Sequence, residues 1–565
     1  MTDDESDEQF YRDTESEAHP KLNDRQLAML EPLGSRKVVR RGEVIFKAGQ
    51  REVPLTIVLR GEVEAFETRE DEEQILGIAE PREFMGEVGM LTGTASLASA
   101  RGKSEEAEIL QVPATALRQA LAELPGVSEM IVRSFIMRRR RLERDKEFAG
   151  LRILSHESSR DGRQLDDFLD KNHIPHRLIT SESEQGKHLC ARLHLASQDL
   201  PALITGNGMP LRRPSLREVA RVAGLLRAPV GEDESEVFCD LVIVGAGPAG
   251  LGAAVYAASE GLKTIVLESY APGGQAGSSS LIENFFGFPT GIGGGELTYS
   301  AQLQAHRFGA SFSMPSRALT MAFHDDEYRV SLQSDGCHAI LRAKCAIIAT
   351  GADYHRLDAE GREDFEGNGV YYAATARESR LCKGSTVVVT GAGNSAGQAA
   401  MYLSEHAAKV VLVIRGEGLS SSMSSYLSRR VEAKQNIEML RHTVVRKMTG
   451  GKLLEAVEVE DLVTQERRII QTPAVFSMIG AKPCTDWLPP EIERDERGFI
   501  KTGHAVAGAP AWKDAGRPPG ALETSRPGIF AAGDVRSGSV KRCAAAVGEG
   551  GMAVEGVHEV LKTYV

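Results

Sequence analysis

Residues 240–268 read DLVIVGAGPAGLGAAVYAASEGLKTIVLE. An apolar run rich in β-branched residues meets a glycine loop, an alanine-rich helix follows, and a second apolar strand ends in an acid. Gly245 permits the tight turn, Gly247 lets the backbone approach a pyrophosphate, and Gly250 lets the helix pack closely, with Pro248 and Ala249 between them. The free N–H groups at the start of that helix, with its dipole, favour a bound anion. Glu268 closes the second strand, where a carboxylate can accept hydrogen bonds from an adenosine ribose. Strand, loop, helix and acid in this order predict a dinucleotide site rather than an empty glycine turn.

The idea recurs at residues 385–416, STVVVTGAGNSAGQAAMYLSEHAAKVVLVIRG, with Gly391 and Gly393 in the loop and Ala396 replacing the third glycine. Here the second strand runs out at Arg415 where the first unit has Glu268. A guanidinium cannot accept a bond from a ribose hydroxyl but pairs with a 2′-phosphate, so NADPH is expected, with NADH as the alternative. Ser420, Ser421 and Ser422 either donate to that phosphate or form an ordinary loop. Near the carboxyl end, RPGIFAAGDVRSG is a strand running into a Gly533-Asp534 turn, whose carboxylate can hold a sugar hydroxyl.

A chain of 565 residues exceeds one core, so several domains are expected. Apolar residues make up 42% and charged residues 26%, enough to bury cores. A net charge of −12 argues against general binding to nucleic acid or anionic membranes. No run approaches 18 apolar residues, and the opening MTDDESDEQFYRDTESE is acidic where a signal peptide is basic, so a cytoplasmic protein without a membrane span is expected. The seven cysteines include no C-x-x-C and no metal-ligand spacing, which argues against a disulfide scaffold or metal site.

Pattern changes divide the chain. Residues 1–21 are acidic and poor in aliphatics, expected as a flexible arm. Residues 22–148 carry short β-branched runs broken by glycine, then helical periodicity from Ala114 to Lys146. Residues 149–228 alternate short strands and helices as a small α/β domain, and 229–236 reads as a linker. The first nucleotide unit spans 237–356 and 478–565, and the second spans 357–477.

The motifs G-A-G-P-A-G, P-G-G-Q (Pro272 to Gln275), I-E-N-F-F-G-F-P, A-T-G-A and G-I-F-A-A-G-D, in this order, resemble the flavoprotein module of low-molecular-weight thioredoxin reductases over about residues 238–565. The resemblance implies an FAD-dependent NAD(P)H oxidoreductase. It implies FAD contacts at Gly245 to Gly250, Glu268, Gly274, Gln275, Asn284, Gly351, Gly533, Asp534, Arg542, Cys543 and Ala544. It places the nicotinamide cofactor on Gly391, Gly393, Asn394, Ser395 and Ala396, the family's G-x-G-N-[ST]-A form, with Arg415 as the single retained member of its arginine cluster.

The resemblance fails at the redox pair. The stretch aligned with the family's C-A-T-C is GVYYAATARES, with Ala373 and Ala376 at the cysteine positions. Alanine exchanges no disulfide, so electrons are expected to leave the flavin for another acceptor: a small redox protein, a quinone or oxygen. Ferredoxin reductases of this fold that lack the pair are similar. Two alternatives stay open: a divergent disulfide reductase using Cys382, Cys543 or a partner's thiols, and a sensor or scaffold with a degenerate flavoprotein module.

The segments R-x-G-E-V-I-F-K-A-G, L-x-x-V-L-R-G-E-V-E and F-M-G-E-V-G-M-L resemble cyclic nucleotide-binding domains. That resemblance implies a jelly-roll barrel in which Gly86 and Glu87 face a ribose. The family's phosphate-binding arginine is replaced by Ser96, and Arg101, an odd number of residues along the strand, faces the other way. Cyclic-nucleotide binding is therefore disfavoured against a scaffold or homodimer role, with Met130, Ile131, Phe135 and Met137 as candidate partner contacts. The run Arg138 to Arg141 is expected on a solvated or interdomain helix face rather than against nucleic acid. The middle domain resembles glutaredoxin and thioredoxin folds, without their cysteine pair, because Pro201 precedes a strand as their cis-proline does; a trans turn proline is the alternative. The expected fold is thus multidomain: an α+β jelly-roll barrel, a thioredoxin-like α/β domain and two Rossmann-like domains.

Overall fold

The computed structural model describes residues 3–69, 72–144, 150–205, 208–226, 237–279, 281–324, 327–334, 337–366, 368–372, 374, 382–419, 423–451, 453–513 and 515–562. The expected linker 229–236, the positions Ala373 and Ala376, and Ser420 to Ser422 lie outside them. The chain divides into two compact units, one of Met1–Val244, Ala253–Pro272 and Ser300–Ala346, the other of Gly245–Gly252, Gly273–Tyr299 and Ile347–Val565.

The first unit opens with a correction. Residues expected as a flexible arm form the helix Asp3–Ala18. Its acids and aromatics meet the arginines that end the helix Pro125–Arg144: Arg141 pairs with Glu15 at 2.6 Å, and Arg144 lies 4.1 Å over the Phe10 ring. The Tyr11 hydroxyl donates to Arg141 O at 3.0 Å. Cation–π and ionic contacts to a distant helix offset the ordering entropy that composition alone left uncompensated.

Two antiparallel four-stranded sheets then form the jelly roll. One runs Ser35–Arg40, Glu106–Val112, Leu55–Arg60, Phe84–Met85; the other Val44–Phe46, Ser99–Gly102, Val63–Arg69, Glu72–Ala79. Alternation puts Leu55, Ile57, Val63, Ile109 and Phe84 inside. The long helix expected from Ala114 is two, Ala114–Glu123 and Pro125–Arg144, because Pro125 brings no N–H to continue the first and suits the start of the second. The side chains offered as partner contacts are also corrected: Ile131, Phe135 and Met137 are buried within this chain, with the Phe135 ring 6.2 Å from that of Phe84.

The middle segment is a four-stranded sheet in the order His176–Thr180, Leu151–Ser155, Ala202–Ile204, Pro210–Arg212, with only the first pair parallel. The helices Arg160–Lys171, Glu184–Arg192 and Leu216–Ala223 start on Ser159, Ser183 and Ser215, each of which caps by accepting a backbone N–H. Pro201 is cis. The strands Ser311–Ser313, Thr264–Leu267 and Val237–Val244 are parallel neighbours, extended by Cys337–Ile348, Glu327–Ser334 and Arg317–His324.

In the second unit a parallel five-stranded sheet runs Val370–Tyr371, Val475–Ser477, Thr386–Thr390, Lys409–Val413, Ile437–Leu440. Buried on both faces, its strands are continuous valine-rich runs rather than alternating ones. The helix Cys543–Leu561 closes the unit, buried along Ala546, Gly550, Ala553, Val554 and Val557.

Candidate functional site

In the second unit the fingerprint loop leads into the helix Pro248–Ser259, with Leu251 N donating to Gly247 O at 2.8 Å. Gly245 has φ +104°, and a Cβ there would lie 2.4 Å from Ala349 O, so no other residue fits. Pro248 is half-buried, and Ala249 and Gly250 are buried in the first turn of the helix.

Gly247 differs from Gly245: the nearest atom to an added Cβ is Gly274 Cα at 3.9 Å. The two glycine backbones pack against each other, since a Cβ on Gly274 would lie 3.1 Å from Gly247 Cα, and Gly273 N donates to Ala246 O at 2.8 Å to fix the opposing turn. Gln275, next on that turn, donates from Nε2 to Ala352 O, beside Gly351. Asn284 is exposed on the following loop.

The Gly533-Asp534 turn reaches the same loop, since a Cβ on Gly533 would lie 2.9 Å from Ala249 Cβ. Two residues that sequence reasoning missed hold it. Glu549 accepts Gly533 N at 2.7 Å and is paired with Arg536 at 2.5 Å. The spacing G-D-V-R was the available signal for Arg536; nothing local pointed to Glu549. Burial raises the Asp534 carboxyl above its ordinary value, partly countered by Lys541.

Arg542 caps the last helix and, like Ala544, is exposed, while Cys543 is half-buried at its first position. A helix amino terminus ordinarily favours thiolate. Burial and the nearby Asp534 outweigh it and push the thiol up to about 11. Cys382 is fully buried in an apolar cluster with Val387, Ala400 and Phe476. Neither sulfur is presented as an exposed nucleophile.

The second loop repeats the first with one change. Gly391 has φ +128°, and a Cβ there would lie 2.2 Å from Met478 O. The helix Asn394–Leu403 begins on Gly393, Ser395 is exposed on its first turn, and Ala396 is fully buried where the first loop has Gly250. Asn394 Oδ1 accepts Ser424 N at 2.9 Å. Arg415 lies exposed just beyond the strand Lys409–Val413. Glu283 and Arg430 add a bidentate pair at 3.0 and 2.9 Å that motif reading did not anticipate.

Within the first unit Glu268 follows the strand Thr264–Leu267 and accepts Tyr270 N at 3.0 Å. Tyr270 is gripped by the middle segment: its hydroxyl donates to Asp167 Oδ2 at 2.8 Å, its ring meets Phe168 edge-on at 5.4 Å, and Asn172 Nδ2 donates to its carbonyl at 3.3 Å. The helix Arg160–Lys171 therefore steadies the turn that carries Glu268.

In the barrel, Glu87 keeps one buried carboxylate oxygen, Oε1, without a hydrogen-bond partner. Its Oε2 is paired with Arg139 at 2.5 Å, and Arg139 is 3% exposed. Gly86 O accepts Arg138 Nη1 at 2.8 Å. Ser96 is buried, and its hydroxyl donates to Ala98 O at 2.8 Å. Arg101 pairs with Glu64 at 2.7 Å and Glu73 at 2.6 Å, and the strand that carries it begins at Ser99, so Ser96 lies outside that strand. Among the described residues no cluster of histidine, cysteine and acid could hold a metal, and no helix is long and apolar enough to cross a membrane.

Residues 239–550 match the family model for pyridine nucleotide-disulphide oxidoreductases, and residues 36–123 that for the cyclic nucleotide-binding domain. The thioredoxin reductase of Bacillus subtilis is 32% identical over 337 residues, 58% of this chain and 98% of its own. A 34.2 kDa protein in the rubredoxin operon of Clostridium pasteurianum is 31% identical over 320 residues, 57% of this chain and 96% of its own. Among solved structures, Lactococcus lactis thioredoxin reductase in its FR conformation aligns with a TM-score of 0.51 at 27% identity, covering 57% of this chain and 99% of that one.

Proposed function

Because the chain belongs to the pyridine nucleotide-disulphide oxidoreductases, we propose that it is an FAD-dependent, NADPH-preferring oxidoreductase whose electrons leave for an acceptor other than a dithiol of its own. The observation that carries this is the close packing of two side-chain-free backbones at Gly247 and Gly274, with the Gly533-Asp534 turn packed on the same loop. Such a backbone surface suits a pyrophosphate, and the free N–H groups of the helix Pro248–Ser259 supply the positive end. FAD, when bound, supplies a two-electron carrier that takes hydride from a nicotinamide.

The chain's own part is to hold and orient. Gly247 and Gly274 give the backbone access, Glu268 and Asp534 accept from sugar hydroxyls, and Gln275 and the Arg542 to Ala544 turn bound the ring end. Gly391, Gly393 and the helix from Asn394 receive the second pyrophosphate, and Arg415 meets the 2′-phosphate. With alanine at 373 and 376, no C-x-x-C in the chain, Cys382 buried and Cys543 held protonated, the reading without an internal dithiol is favoured over a divergent disulfide reductase. The test is anaerobic: the FAD-loaded protein is mixed with NADPH, and bleaching near the flavin absorbance maximum is followed with and without ferricyanide. Full bleaching followed by reoxidation supports the reading; a folded, flavin-loaded protein that NADPH fails to bleach refutes it.

A further inference from the structure

We propose that the barrel's cassette Gly86–Ala100 has exchanged a nucleotide phosphate for the carboxyl end of the helix Leu216–Ala223, so that the segment Ala223-Gly224-Leu225 is the barrel's resident ligand. The replacement of an arginine by Ser96 left a cassette without a full positive charge. A helix carboxyl end is the matching occupant, for it presents unsatisfied carbonyls and about half a negative charge. Ala95 N donates to Ala223 O at 3.2 Å, a bond made to a main-chain carbonyl rather than to an anion. The neighbouring Ser96 N is taken up by Gln50 O at 2.9 Å.

Gly224 shows how closely the segment is seated. It ends the helix with φ +77°, and a Cβ there would lie 2.5 Å from Ala95 N and 2.8 Å from Thr94 Cα. Thr94, Ala95, Ala223 and Leu225 are all buried. The guanidinium missing at position 96 reappears from another direction. Arg51 donates to Arg221 O at 2.5 Å and Leu226 O at 3.4 Å, capping the carbonyls at the helix end.

The ribose side is tied to the middle segment through Glu87 Oε2, while Glu87 Oε1 is buried without a hydrogen-bond partner. Glu87 pairs with Arg139, whose Nη1 donates to His173 O at 2.8 Å, at the end of the helix Arg160–Lys171 that grips Tyr270. Both halves of the ancestral pocket thus bind the middle segment, and a cyclic nucleotide could enter only by displacing it.

The experiment is hydrogen–deuterium exchange on the full, FAD-loaded chain, following a peptide across residues 91–100, beside calorimetric titration with cyclic AMP and cyclic GMP at up to about 1 mM. Wild type is expected to protect the Ala95 amide and to bind neither nucleotide. Gly224→Val is expected to raise exchange across 91–100 at least about fivefold, the loss of one hydrogen bond, with flavin content unchanged. Arg51→Ala, which leaves the backbone alone, should move the same peptide in the same direction and guards against misfolding of the valine variant. Unchanged exchange in both folded variants, or micromolar nucleotide binding by wild type with the 91–100 peptide still protected, would overturn the proposal.

Discussion

Adding one methyl group at Gly247 and at Gly245 should separate cofactor binding from folding. A Cβ at Gly247 meets nothing closer than Gly274 Cα at 3.9 Å, so Gly247→Ala should change apoprotein stability by no more than about 0.5 kcal/mol. The same methyl stands on the backbone surface that a pyrophosphate would approach, and it forces loss of at least one charge-assisted hydrogen bond of about 1.5–3 kcal/mol. FAD affinity should therefore fall roughly tenfold to a hundredfold or more. Gly245→Ala is the control: with φ +104° and Ala349 O at 2.4 Å, strain of about 1–3 kcal/mol should appear in the apoprotein itself. The assay is flavin fluorescence titration beside thermal unfolding of each apoprotein. A well-folded Gly247→Ala that binds FAD as tightly as wild type would refute the assignment of Gly247 to the pyrophosphate.

NADPH should reduce the flavin faster than NADH at equal concentration, and Arg415→Ala should narrow the difference in a stopped-flow comparison without slowing NADH. Thioredoxin should be a poor acceptor while ferricyanide is a good one, and Cys543→Ser and Cys382→Ser should leave NADPH-to-ferricyanide turnover within about twofold of wild type; a collapse in either would restore a cysteine route. Acid should loosen the first unit. Burial, then Arg138 for His19 and Arg139 for His173, depresses both imidazoles to about 4. A depressed pKa contributes stability above the unfolded value of about 6.5 that is lost as pH falls toward 4, at most about 2 kcal/mol per histidine by pH 5. The melting temperature of the first transition should drop between pH 7 and pH 5, and His173→Gln should flatten that drop; an equal drop in the variant would remove His173 as a cause.

The two glycine loops were legible because the positive φ of Gly245 and Gly391, +104° and +128°, is a demand of the turn itself, although the carbonyls that crowd them, Ala349 O and Met478 O, come from far along the chain. The valine runs of the parallel sheets and the serine caps of the middle helices were readable for the same reason. What stayed hidden depends on partners that no local pattern connects. The charges at Glu15 and Arg141, or Glu549 and Arg536, announce a surface until the fold brings them together. Ser96 was visible as a missing arginine, but the helix end that occupies the cassette lies well over a hundred residues later. Ile131, Phe135 and Met137 show the converse error, since an apolar helical stripe does not say whether its own barrel or a second copy covers it.

The pairing of Tyr11 with Arg141 spans 130 residues, which sets a timetable for synthesis. The helix Asp3–Ala18 leaves the ribosome before any of its partners, and at 16 residues it is marginal by itself in water. At 5–20 residues per second the arginine-bearing helix follows on the order of ten seconds later. Until then the barrel strands emerge with their closing helix unmade, and Phe10, Tyr11 and the acids beside them wait in solvent. Residues of the helix Asp3–Ala18 are thus among the last of the first unit to find their place, and a nascent chain halted before Pro125 leaves them no surface to land on.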